Sequence, residues 1–182
     1  MKKDIGAVLA LYPTPLVVVG AMVEGKPNWA LVGHLGIIGH DRIMLSMAKA
    51  HYTNRGIHLT GVLSVNIVDE ALLRKADQAG CISGNSADKS AMFAWSEGAA
   101  GAPLLNESKL TMECRVVDRY DTAAFDNFIL EIQHTYAEES ILSAAGKPDY
   151  DVFKPVLFEM PGYTYLRTGE TIGKCMKLRK DD

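Results

Sequence analysis

Seven consecutive residues, Lys49-Ala50-His51-Tyr52-Thr53-Asn54-Arg55, place a base and a hydroxyl at the spacing that suits a phosphate. They follow the apolar run Ile43-Met44-Leu45-Ser46-Met47-Ala48, which predicts a strand, and Thr53 opens a short predicted helix. A helix N-terminus presents backbone N–H groups without intrahelical partners and carries partial positive charge, so it holds anions. Lys49 and the Thr53 hydroxyl would complete the cradle. The same residues equally suit an ordinary N-cap beside an exposed lysine, and the local pattern leaves both open.

Other chemistry is sparse. Gly33-x-x-Gly36-x-x-Gly39 has the wrong spacing for a dinucleotide fingerprint, and no helix pattern follows it. These glycines either bend a strand or let a flat ligand lie against backbone N–H groups. There is no nucleophile elbow, P-loop or recognisable pair of catalytic carboxylates; Asp149 and Asp151 flank Tyr150 in a predicted loop. The three cysteines, Cys81, Cys114 and Cys175, match no zinc pattern or CxxC pair, and none of the five histidines has a ligand partner at metal spacing. The expectation is no metal. Asn106-Glu107-Ser108 fits a glycosylation sequon but carries no weight without a secretion signal.

The elements that must position these residues read as mostly β. Thr14 to Val23, Trp29 to Ile38, Arg42 to Ala48 and Val62 to Val68 are predicted strands, with Glu24-Gly25-Lys26-Pro27 as a turn. Thr53 to Thr60 is a short helix closed by Gly61. Asp69 caps a second helix whose apolar face is Leu72, Leu73, Ala76 and Ala79, and Gly80 ends it. Residues 81–89 read as a loop leading to a short helix through Met92 and Trp95. Two long strands follow: Leu110, Met112, Cys114 and Val116 alternate with Thr111, Glu113 and Arg115, and Phe128, Leu130, Ile132 and His134 alternate with Ile129, Glu131 and Gln133. Residues 148–155 are a loop, and Val156-Leu157-Phe158 and Tyr163 to Leu166 are short strands. Without regular β-α-β alternation, the pattern predicts a closed or partly closed antiparallel barrel.

The totals bound the function. The 182 residues suffice for one domain with a sizeable core, and 48% hydrophobic against 23% charged content is that of a globular chain. A net charge of −3, from 19 Lys+Arg against 22 Asp+Glu, lacks the basic field that broad nucleic-acid binding needs. No apolar run approaches a membrane span, and Met1-Lys2-Lys3-Asp4 has no signal-type apolar segment behind it, so a cytoplasmic location is expected.

In order along the chain stand Tyr12-Pro13-Thr14-Pro15, Gly25-Lys26-Pro27-Asn28, Tyr52-Thr53, Ser64-Val65-Asn66, Ala76-Asp77 with Gly80, Ser83-Gly84, Asp88-Lys89, and Tyr165, Gly169 and Gly173. With these pieces the chain resembles the flavoredoxin branch of the flavin reductase-like, FMN-binding split-barrel family over roughly residues 5 to 175. The Ser83-Gly84…Asp88-Lys89 segment is the most distinctive part. The resemblance implies a single domain over 1–182, a six-stranded antiparallel split β-barrel with short inserted helices, a homodimer, and FMN near the dimer interface. It implies that Lys49, Tyr52, Thr53 and Asn54 hold the phosphate. The isoalloxazine ring would lie along the backbone of Leu31, Val32, Gly33 and His34, after Asn28, with Ser46, Met47 and Ala48 on the strand beside it. Ser83, Gly84 and Lys89 would close the site, from this subunit or its partner.

The implied activity is electron transfer from NAD(P)H or a reduced carrier through flavin to an acceptor. Nicotinamide-to-flavin chemistry is direct, so the protein needs no nucleophile or metal and contributes positioning. The alternatives are a non-catalytic FMN relay between redox proteins, or a split barrel that binds another planar ligand such as haem. The chain also departs from the family. Trp29-Ala30-Leu31-Val32-Gly33-His34 replaces a run usually rich in hydroxyls and small residues, so backbone donors remain at Leu31 and Val32. His34 stands at an aromatic position, where it covers the ring, donates to it or fills space. His40-Asp41-Arg42 replaces a proline pair, and the tail Lys174-Cys175-Met176-Lys177 is less apolar than usual.

Overall fold

The computed structural model describes residues 1–178; the last four positions of the domain expected over 1–182 lie outside the described residues. Twelve strands and two helices follow one another: β1 (Thr14–Pro15), β2 (Val17–Val23), β3 (Lys26–Val32), β4 (Leu35–Ile37), β5 (Arg42–Ala48), α1 (Thr53–Thr60), β6 (Val62–Ile67), α2 (Glu70–Cys81), β7 (Trp95–Glu97), β8 (Pro103–Leu105), β9 (Leu110–Asp121), β10 (Phe125–Ala137), β11 (Val156–Glu159) and β12 (Thr164–Arg167). Seven of them form one sheet in the order β3-β2-β6-β9-β10-β5-β4, every neighbouring pair antiparallel. Its outermost strands, β3 and β4, are consecutive in the chain and separated only by Gly33 and His34. Two edges joined by two residues must adjoin, so the sheet curls into a barrel. The expected single strand Trp29 to Ile38 is therefore two strands broken at Gly33-His34, and the sheet has seven strands where six were expected.

Alternation sorts the side chains into two cores. Val17, Val19 and Ala21 of β2, Ala30 and Val32 of β3, and Ile43, Leu45 and Met47 of β5 fill the barrel with Phe128 and Leu130. Leu16, Val18 and Trp29 point the other way and pack under Leu72, Ala76 and Ala79 of α2. Strand β2 is apolar on both faces because both faces are covered. Helix α2 starts where expected, with the Asp69 carboxylate accepting from Leu72 N–H, but runs one residue past Gly80. No helix forms through Met92 and Trp95: one turn closes from Met92 N–H to Lys89 O, and Trp95 then pairs with Leu105 in the β7–β8 hairpin. Glu113, on the polar side of the β9 alternation, is fully buried. The loop between β7 and β8 folds over it and supplies Ala100 N–H and Ala102 N–H at 2.9 and 3.0 Å, with the Tyr136 hydroxyl donating at 3.0 Å. A two-residue period reports the face of a strand, not what later chain lies on that face.

Candidate functional site

The break between β3 and β4 forms one wall of an apolar chamber of about 290 Å³. Leu31, Gly33, His34, Ser46, Ala48 and His51 line it on one side, and Phe125, Phe158, Met160 and Tyr165 on the other. Period two decides which residues of β5 face it: Ser46 and Ala48 do, whereas Met47 points into the barrel core. Val32 belongs to that core too but reaches the chamber wall. The chain is pinned here, because Thr14 Oγ1 donates to Gly33 O at 2.6 Å and Ser46 N–H to His34 O at 2.9 Å. The N–H groups of Gly33 and His34 have no partner among the described residues. Gly33 is required because an added Cβ would sit 2.6 Å from Phe158 Cδ1. Its missing side chain thus makes room for β11, while Gly36 lies open on β4 and Gly39 sits in the turn before β5.

His51 and the chain beside it lead from this chamber into a second cavity, also about 290 Å³, at the start of α1. Asn28, Tyr52, Thr53, Ser83, Gly84 and Lys89 line it. Ser83, Gly84 and Lys89 therefore meet Tyr52 and Thr53 within one chain. The segment is held down on several sides: Asn85 Nδ2 donates to Ala50 O, Arg55 to Asn85 Oδ1, and Lys26 pairs with Asp88 at 2.7 Å. Gly84 lies where a Cβ would be 2.6 Å from Asn28 Oδ1. The helix cap is Tyr52, not Thr53, and it makes no side-chain capping bond. Thr53, only 1% exposed, is the first helical residue and accepts from Asn28 Nδ2 at 2.7 Å. Because the first turn is tight, Asn54 N–H and Arg55 N–H bond back to His51 O and Tyr52 O, and the Tyr52 and Thr53 N–H groups are left without partners among the described residues.

Lys89 is the residue whose burial most demands explanation. It is 4% exposed, and its ammonium donates to Ala79 O at 2.8 Å and Ile82 O at 3.1 Å at the end of α2. Burial lowers its pKa, and no carboxylate pairs with it among the described residues. The carbonyls at the end of α2 satisfy two of its donors, and the ammonium stands at the wall of the cavity that Thr53 also lines. Burial first, and the charge of Lys89 second, also lower the pKa of His51.

Lys49 and Asn54 stand elsewhere. Lys49 Nζ bonds Asp126 Oδ1 at 2.7 Å and lies 3.6 Å from Asp121, at the β9–β10 hairpin. Asn54 donates to Asp126 Oδ2 and Ala48 O, and His58 Nε2 contacts Asp126 at 3.2 Å. Burial raises the pKa of Asp126, but the bonds from Lys49, Asn54 and His58 outweigh it and leave the carboxyl below its usual value. The cradle expected at Lys49 and Asn54 is thus directed at Asp126. The residues that gather around the helix start are Asn28, Tyr52, Thr53, Ser83, Gly84 and Lys89. Phe125, Phe158 and Met160 line the chamber without having been singled out; they come from β10, β11 and the turn after β11. His51 lay within the opening motif and Tyr165 among the matching pieces, but neither was assigned to the site.

Comparison with curated proteins gives no match. The flavin reductase like domain model matches residues 9–166. The crystal structure of a flavoredoxin from Methanosarcina acetivorans superposes with a TM-score of 0.93 at 33% identity, covering 99% of this chain and 98% of that one. A flavoredoxin of Desulfovibrio vulgaris (Miyazaki F) gives 0.90 at 32% identity, with 98% and 99% covered. An FMN-binding protein from Thermus thermophilus, at 0.80 and 20% identity with 96% and 97% covered, shares the fold. With a family match across most of its length and a split barrel common to these structures, the chain belongs to the flavin reductase-like domain family.

Proposed function

We propose that this protein is an FMN-dependent oxidoreductase of flavoredoxin type, which takes electrons from NAD(P)H or a reduced carrier and passes them to an acceptor. The single observation that carries the proposal is the buried Lys89 ammonium, which has no carboxylate partner among the described residues, lining one cavity with Tyr52 and Thr53, whose N–H groups are likewise unpartnered among them, at one end of a cleft whose other end is an aromatic slot. The cofactor is FMN: a monophosphate suits the polar end, and a flat ring suits the apolar end. FMN held in this cleft would supply two-electron redox chemistry. The Gly33 and His34 N–H groups would donate to the ring edge, and Leu31, Phe125, Phe158 and Tyr165 would keep water from it. Lys89 neutralises the phosphate that helix α1 orients. The working form is a homodimer, a reading supported by the exposed apolar side chains of Ile5, Val8, Leu9 and Leu11 before β1 and Ile37 on β4.

The test is the visible spectrum of the purified protein, followed by chromatography of the released chromophore. A flavin spectrum with FMN released on denaturation is expected. A colourless protein that takes up no added FMN overturns the proposal. Steady NAD(P)H oxidation with a dye acceptor then separates an enzyme from a relay, which turns over only with a reduced protein donor.

A further inference from the structure

Electron transfer to most organic acceptors moves protons as well, and the chamber has few groups to move them. Its lining contains three titratable side chains: His34, His51 and Tyr165. Tyr165 donates to Asp77 Oδ1 at 2.5 Å, and burial together with that bond pushes its hydroxyl far above its usual range. His51 stands where the chamber opens into the cavity at the start of α1, beside Lys89, and burial and that charge lower its pKa. His34 remains. It is half-buried, its carbonyl is fixed by Ser46 N–H, its ring meets Phe125 edge-on at 6.0 Å, and its Nε2 lies 2.8 Å from the Tyr12 hydroxyl. Its Nδ1 has no hydrogen-bond partner among the described residues. Among the described residues, no carboxylate or lysine lines the chamber.

Tyr12 has two possible acceptors, His34 Nε2 at 2.8 Å and Met160 Sδ at 3.4 Å. One hydroxyl hydrogen serves one of them at a time. When it points to Nε2, the neutral imidazole carries its proton on Nδ1. When it points to the sulfur, Nε2–H donates to the phenol oxygen and Nδ1 is bare. Nitrogen is the stronger acceptor, so the Nδ1–H tautomer is the resting one.

Resting on the flavin reading above, we propose that His34 and Tyr12 form a proton relay into the ring chamber, with His34 as the donor and Tyr12 as the residue that sets its tautomer. Nδ1 gives its proton to an oxygen or nitrogen of the species being reduced. Nε2 takes the Tyr12 hydroxyl proton, and the half-buried phenolate oxygen takes a proton from water. One proton leaves at Nδ1 and one enters at Tyr12, and the ring ends neutral as the other tautomer.

The first test needs no cofactor: ¹⁵N NMR of the histidine rings in the flavin-free protein. The Nδ1–H form of His34 is expected in the native chain, with a shift toward Nε2–H in Tyr12→Phe. Identical tautomers in the two overturn the relay. The second test reoxidises the reduced, FMN-loaded protein with a quinone, which takes up protons, and with ferricyanide, which takes electrons only. In both His34→Phe and Tyr12→Phe the quinone rate should fall at least tenfold more than the ferricyanide rate of the same variant, as loss of a positioned acid does. Equal slowing with both acceptors, or slowing with neither, overturns the proposal. If the native protein takes up no FMN, the flavin reading falls and the NMR experiment still decides the tautomer pair.

Discussion

At the scale of single residues, two lysines that look alike in sequence have different work. Lys49 lies beside the helix start in the chain, yet its ammonium is spent on Asp126 and Asp121. Lys89 lies far from it in the chain, yet lines the same cavity as Thr53. Replacing Lys89 by Met should weaken FMN at least tenfold and leave riboflavin, which has no phosphate, within about threefold, because a charged hydrogen bond is worth about 1.5–3 kcal/mol. Fluorescence titration with both ligands checks this; equal weakening of the two places the phosphate elsewhere. Lys49→Met should have the smaller effect on FMN. Asp126 gives a pH prediction. Its folded pKa is depressed, so its contribution is present above the usual carboxylate value and is lost as pH falls through the folded one. Asp126→Asn should therefore cost about 1–3 kcal/mol at pH 7. Urea unfolding should show that gap narrowing below about pH 4. The sequence signalled Thr53, Ser83, Gly84 and Lys89 through their types and order. Nothing in it signalled Asp126, whose three partners are Lys49, in the turn after β5, and Asn54 and His58 of α1.

Elements set the aim of these residues. Helix α1 lies against β2 so closely that a Cβ on Gly56 would collide with the Met22 carbonyl and come within 2.9 Å of Val23 Cγ2. That contact fixes where the helix start points. Gly56→Ala should push α1 outward, costing about 1–3 kcal/mol in urea unfolding and weakening FMN by misplacing the Tyr52 and Thr53 N–H groups. Gly61 has a different role: its φ of 68° ends the helix in the left-handed conformation, with its N–H on Ile57 O. Gly61→Ala should cost only about 1 kcal/mol and leave ligand binding unchanged. Both helices and most strands were legible, because capping residues and two-residue alternation are local signals. The expected helix through Met92 and Trp95 was not formed, because Trp95 found a strand partner in Leu105, a contact no local pattern reports.

The whole molecule closes the site. Strand β11 pairs with β1 on one side and β12 on the other, outside the barrel sheet, and Phe158 of β11 packs on the bare Gly33. Gly33→Val should drive that strand away and open the ring chamber, weakening FMN and riboflavin by similar factors in the same titration. Lys89→Met should separate the two ligands, so the pair of variants assigns each end of the cleft. At the level of assembly, light scattering should give a dimer mass, and Leu9→Glu with Leu11→Glu should shift it toward the monomer. The sequence by itself determined the β-rich antiparallel class, the start and end of α1, the cap of α2 and the family resemblance. All of these rest on composition, local backbone preference or ordered motifs. The tertiary structure alone decided that β3 and β4 are the two meeting edges of one sheet, that Lys89 rather than Lys49 faces the cavity at Thr53, and that Tyr12 bonds His34. Each of these depends on how distant segments are brought together, and burial and partner choice are properties of that arrangement rather than of any stretch of chain.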